Sequence, residues 1–120
     1  MTEDQGNKDI GFVVTKPPLE SGLVSNMLSI AQSSLDQGKS VGIFLISDGI
    51  WLVKKNQKNH VYEQFLNVLK GGAEVLASRE HLEAAGIGDD EIVDGVTVTK
   101  RVYKDLVINV MERWNKVVSI

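Results

Sequence analysis

The chain of 120 residues contains no cysteine. This excludes disulfide staples, Cys-ligated zinc, iron–sulfur clusters and every mechanism that needs a thiolate. Histidine is scarce, with only His60 and His81, and neither H-x-x-x-H nor H-E-x-x-H spacing occurs, so no metal site is predicted. No apolar run approaches the ~20 residues that a membrane span needs. Met1–Asp9 lacks an apolar core segment, which predicts no secretion signal and a cytoplasmic location. An excess of positive charge is missing too. Thirteen Lys and Arg against sixteen Asp and Glu leave a net charge of −3, which disfavours a bulk phosphate-backbone binder. Neither nucleic acid nor membrane is therefore expected as a partner. Neither G-x-x-x-x-G-K nor G-x-G-x-x-G follows the first apolar run, and Pro17-Pro18 remove two backbone donors from the loop there. No nucleotide cofactor, and no other cofactor, is expected.

What remains is the composition of an ordinary globular domain, 42% hydrophobic and 24% charged. Such a length supports one core, not two. A polar tail over residues 1–8 is expected to fray, and residues 9–120 to form one domain. Ile10–Val14 reads as a buried strand stopped by the prolines. Leu19–Gln37 reads as a helix with Ser21 as N-cap, a stripe of Leu23, Met27, Ile30, Ala31 and Leu35, and Gly38 as its stop. Val41–Ile46 is apolar on both faces, as a strand covered by helices must be. Ile50–Asn59 begins apolar and turns basic, which predicts a loop or short helical turn. A helix over Val61–Leu69, a strand over Ala73–Ala77 and a short helix capped by Ser78 follow, the last ending at Gly86. Val96–Thr99 reads as extended. Lys100–Arg113 reads as a helix with Tyr103, Leu106, Val107 and Val110 inward, and Lys116–Ile120 as a last strand. The alternation predicts an α/β sandwich of three layers around a mostly parallel sheet of about five strands.

In such a sheet ligands bind beyond the carboxyl ends of the strands. The residues expected there are Thr15, Ser47, Asp48, Gly49, Ser78 and Arg79. Each is also what a wet loop or cap would carry: Asp48-Gly49 is a turn signal, and Ser78 a preferred N-cap. No G-x-S-x-G elbow surrounds Ser78, so a serine hydrolase is disfavoured. His81, three residues on, could act as an acid or base or merely cover the helix surface. Ser78, His81 and Asp48 are the weak catalytic candidates. Trp51, a large apolar residue in a loop-like stretch, is the candidate interface anchor, whereas Trp114 reads as packing. Lys54, Lys55 and Lys58 form a small basic cluster, read as a solvated face.

The run Gly38-Lys39-Ser40-Val41-Gly42-Ile43-Phe44-Leu45-Ile46-Ser47-Asp48-Gly49-Ile50 resembles the second-strand signature of the DsrE/DsrF-like proteins. So do Gly72–Ser78 followed by Gly86-Ile87, Asp94-Gly95-Val96, and the closing Trp114–Val118. The resemblance runs from Ile10 to near the end and implies a flavodoxin-like domain. It implies homo-oligomers, trimers or hexamers, or complexes with DsrE-like paralogues. In the DsrE and TusD branches a cysteine at the end of the third strand relays sulfur as a persulfide. Here Ser78 stands at that position, and its oxygen cannot form the S–S bond. The resemblance therefore implies a non-catalytic binding or assembly module connected with sulfur metabolism. The alternative is a small enzyme or ligand-binding protein with a repurposed pocket around Ser78, His81 and Asp48.

Overall fold

The computed structural model describes residues 7–120. The expected tail lies almost wholly outside them, and its last residue, Lys8, already belongs to the first strand. The β-branched and aromatic runs form β1 (Lys8–Val14), β2 (Val41–Leu45), β3 (Glu74–Ser78), β4 (Thr97–Thr99) and β5 (Trp114–Ser119). These pair in the order β4-β3-β2-β1-β5, every pair parallel. Helices α1 (Leu23–Asp36), α2 (His60–Lys70), α3 (Arg79–Ala84) and α4 (Val102–Ile108) make the crossovers.

The sheet is covered unequally. Phe12, Val14, Ile43, Leu45, Val75 and Ala77 point to one face and pack against α1, α2 and α3 through Met27, Leu28, Phe65 and Leu82. Val13 and Phe44 point to the other face, where they cluster with Val102 of α4 and Trp114, and Ile46, Leu76, Leu106 and Val110 are partly buried beside them. The indole of Trp114 lies over Gly11 and Gly42, which are register partners on β1 and β2. Two glycines side by side leave a trough in the sheet surface, and the ring fills it. The reading of Trp114 as packing is thus met.

Two helical stripes differ from expectation. In α1 the buried residues are Val24, Met27, Leu28 and Ala31, while Leu23 and Ile30 are exposed. Both sets satisfy the i, i+3, i+4 rule, and the sheet selects the one that meets its own apolar side chains. The N-cap position is Gly22, although Ser21 Oγ still accepts the Leu23 N–H at 3.3 Å. In α4 the residues expected inward split. Leu106 and Val110 pack against the second core, whereas Tyr103 and Val107 are 60% and 56% exposed. The helix stops at Ile108 and widens into a π turn over Asn109–Arg113, which shifts the phase of the apolar pattern and buries Asn109. Asn109 Nδ2 donates to the Asp105 carbonyl at 2.7 Å.

At the amino ends of the strands, Asp9 receives the Ser40 backbone N–H at 2.8 Å and its hydroxyl at 3.1 Å. The backbone bond first, then the hydroxyl, holds the Asp9 carboxyl below its usual range.

Candidate functional site

Val14, Leu45, Ser78 and Thr99 end their strands on one rim. The chain leaves β1, β2 and β3 toward the same face. The turn after β2 and the helix after β3 form the walls of a crevice there.

The turn after β2 is a 3-10 helix over Ser47–Val53, not an open loop. Ser47 enters it with φ +51°, the left-handed region that disfavours a side chain. The backbone holds it there from two sides. The Ser47 N–H donates to His81 Nδ1 at 2.8 Å, and the Gly49 N–H donates to the Ile46 carbonyl at 2.9 Å. Ile50, Leu52 and Val53 anchor the turn in the main core. In a helix of three residues per turn, i and i+3 stack on one side. Asp48 therefore shares a side with Trp51, and Ser47 with Ile50.

Opposite stands α3. Ser78 is fully buried, and its Oγ accepts the His81 backbone N–H at 3.2 Å as the helix N-cap. His81 follows one turn into the helix, with Ala84 and Ala85 at three and four residues beyond, on the same side. Between the walls lies a cavity of about 320 Å³ lined by Ser47, Asp48, Ile50, Trp51, His81, Ala84 and Ala85. Because Nδ1 accepts a hydrogen bond, the neutral His81 ring carries its hydrogen on Nε2.

The structure brings some of the expected residues together and keeps others apart. Ser47, Asp48, Trp51 and His81 share the cavity. Gly49 is buried behind it, against the Val14 carbonyl. Ser78 lies beneath the cavity as a cap rather than in its lining. Thr15 Oγ1 donates to the Ile120 carbonyl at 2.8 Å, at the β1–β5 side of the rim. Arg79 turns away to Asp89, whose carboxylate keeps the guanidinium charged, and lines a separate pocket with Val96 and Val98. Lys54, from the basic cluster, pairs with Glu91 at 3.6 Å. Ile50, Ala84 and Ala85 also line the cavity, and none is among the site residues expected from the sequence. The signal that could have found them is spacing: three residues from Ser47, and three and four from His81. Among the described residues no group of three or more His, Asp or Glu could hold a metal ion.

Replacing Ser78 by Ala removes the cap and leaves the partly buried His81 N–H without its acceptor. The expected loss is about 1 kcal/mol, read as a lower urea midpoint with an unchanged slope. A stability equal to wild type would show that the cap does not hold α3.

Comparison with known proteins agrees with the geometry. The chain is 31% identical to an uncharacterized protein of Methanopyrus kandleri, MK0008, over 80% of its own length and 83% of that protein's. It is 27% identical to an uncharacterized protein of Methanocaldococcus jannaschii, MJ0989, over 88% and 94% of the two chains. Among solved structures it resembles the ychN protein from E. coli, with a TM-score of 0.73 at 21% identity, covering 94% of this chain and 99% of that one. It also resembles MTH1491 from Methanobacterium thermoautotrophicum, a protein of unknown function, with a TM-score of 0.72 at 18% identity and coverage of 92% and 97%. These two likenesses concern the fold. The DsrE/DsrF-like family pattern matches residues 8–118, and with a parallel five-stranded sheet behind it the chain belongs to the DsrE/DsrF-like family.

Proposed function

We propose that this is a non-catalytic DsrE/DsrF-like protein, a cytoplasmic module that works by binding and assembly, connected with sulfur metabolism or sulfur relay. The observation that carries the reading is Ser78. It occupies the end of β3, where the sulfur-relaying branches resembled here keep their cysteine, and its oxygen is buried and engaged as a helix cap. A buried cap hydroxyl is neither a persulfide carrier nor a free nucleophile. Incubation with a persulfide donor followed by intact mass measurement is expected to show no added sulfur. Sulfur held stably on the chain would overturn the reading.

Assembly is supported by the outer side of α4 and the turn after it. Tyr103, Val107 and Met111 recur every four residues and are 60%, 56% and 74% exposed. On the edge strand β5, Val117 and Val118 are exposed as well. The association expected is a homo-trimer or hexamer, or a complex with DsrE-like paralogues. Val107→Glu replaces an exposed residue that lies outside both core clusters, so its effect on the stability of the isolated domain should stay within about 0.5 kcal/mol. It should nonetheless lower the mass of the assembly seen by sedimentation. An unchanged sedimentation profile would exclude this face.

A second reading, a ligand-binding protein with a repurposed pocket, is favoured by one observation, the cavity between His81 and Trp51.

A further inference from the structure

We infer that the cavity between the turn after β2 and α3 takes a small organic ammonium ion that carries an oxygen acceptor, the chemistry of an amino alcohol or its methylated form. This rests on the second reading above and names its ligand class.

Three features of the walls converge. Asp48 and Trp51 lie three residues apart in a 3-10 turn, so carboxylate and indole stand on one side of it. The Asp48 carboxylate has no hydrogen bond or ion pair among the described residues. Trp51 is 37% exposed, although it is among the largest apolar side chains of the protein. An unpaired carboxylate beside an indole attracts a cation twice, by charge and by the ring quadrupole. The lining contains no Lys or Arg, and Arg79, at the start of α3, is turned to Asp89. Nothing in the lining other than His81 could balance an anion, which disfavours a phosphate or a simple carboxylate.

His81 supplies the other end. Its Nδ1 is engaged by the Ser47 N–H, so Nε2–H is the ring's one remaining donor. A hydroxyl or carbonyl oxygen would accept it. Ile50, Ala84 and Ala85 make up the apolar part of the lining. The same His81–Ser47 bond ties the two walls together, so the site is formed before a ligand arrives and little ordering is needed on binding.

The test follows the Trp51 indole N–H by nuclear magnetic resonance, assigned with Trp51→Phe, while choline is titrated into the wild-type protein. A saturable shift is expected. Tetramethylammonium, which lacks the oxygen, should bind more weakly, and 3,3-dimethylbutanol, the uncharged analogue of choline, should not bind measurably. Asp48→Asn, an exposed change that leaves the fold intact, should weaken choline by roughly tenfold. No saturable shift, an equal response to the uncharged analogue, or an unaffected Asp48→Asn protein would each overturn the inference. None of these outcomes bears on the persulfide and sedimentation results, so assembly stands or falls separately.

Discussion

Gly11→Ala is expected to destabilise the domain by about 3 kcal/mol or more, roughly a 10–15 °C drop in Tm. A methyl group on Gly11 would overlap the Cδ2 and Cε3 atoms of the Trp114 ring. The ring has no free space toward β2, because its other edge already lies over Gly42, where a methyl would sit 2.7 Å from Nε1. It cannot rise either without opening the second core, where Val13, Phe44 and Val102 pack beside it. The mechanism makes a further demand. Trp114→Leu alone should be destabilising, yet in the Gly11→Ala background it should cost far less, because it relieves the overlap. Urea unfolding of the four proteins of this cycle measures the coupling. A Gly11→Ala protein within 1 kcal/mol of wild type, or strict additivity of the two changes, would contradict the seat described for Trp114.

Gly49→Ala should be nearly as severe, at about 2–4 kcal/mol, for a different reason. The new methyl would fall on the Val14 carbonyl, whose oxygen already accepts the Ile46 N–H at 3.1 Å. Here backbone would press on backbone at the junction of β1 and the 3-10 turn, and no side chain can swing aside. Relief requires the turn to lift from the end of β1. That movement would carry Ser47 away from His81 and take Asp48 and Trp51 with it. Gly49→Ala should therefore lower the urea midpoint and also move the Trp51 indole resonance without any ligand present. A destabilised protein whose indole resonance is unmoved would show that the cavity wall does not depend on this contact.

The alternation of strands and helices was legible because the apolar runs are short, β-branched and separated by glycine, proline or polar residues. Val41–Leu45 is the clearest case, buried at all five positions as a central parallel strand must be. Gly38 and Gly86 also punctuate as expected, with φ of +81° and +76° just beyond α1 and α3. The facing of α4 was not legible. A single helical period does not describe it, because the chain changes period at Asn109. Leu23 and Ile30 misled for a related cause, since an apolar stripe wider than the contact area leaves its margins in water. At the site, the strand-end rule placed the rim, and the cap role of Ser78 was visible in the sequence. The rule could not say which strand ends face one another. That depends on the 3-10 form of the turn after β2, which brings Asp48, Trp51 and His81 together while Thr15 and Arg79 bond elsewhere.

The central claim is that this DsrE/DsrF-like chain acts through association and not through a thiol of its own. Light scattering on the eluting peak of the purified protein tests it most directly, first alone and then mixed with cysteine-bearing DsrE-like chains from the same cell. The account predicts a particle several times the 13.2 kDa of one chain, in the first run or in the mixtures. A single-chain mass in every run, at concentrations where the exposed α4 face should be covered, would contradict it.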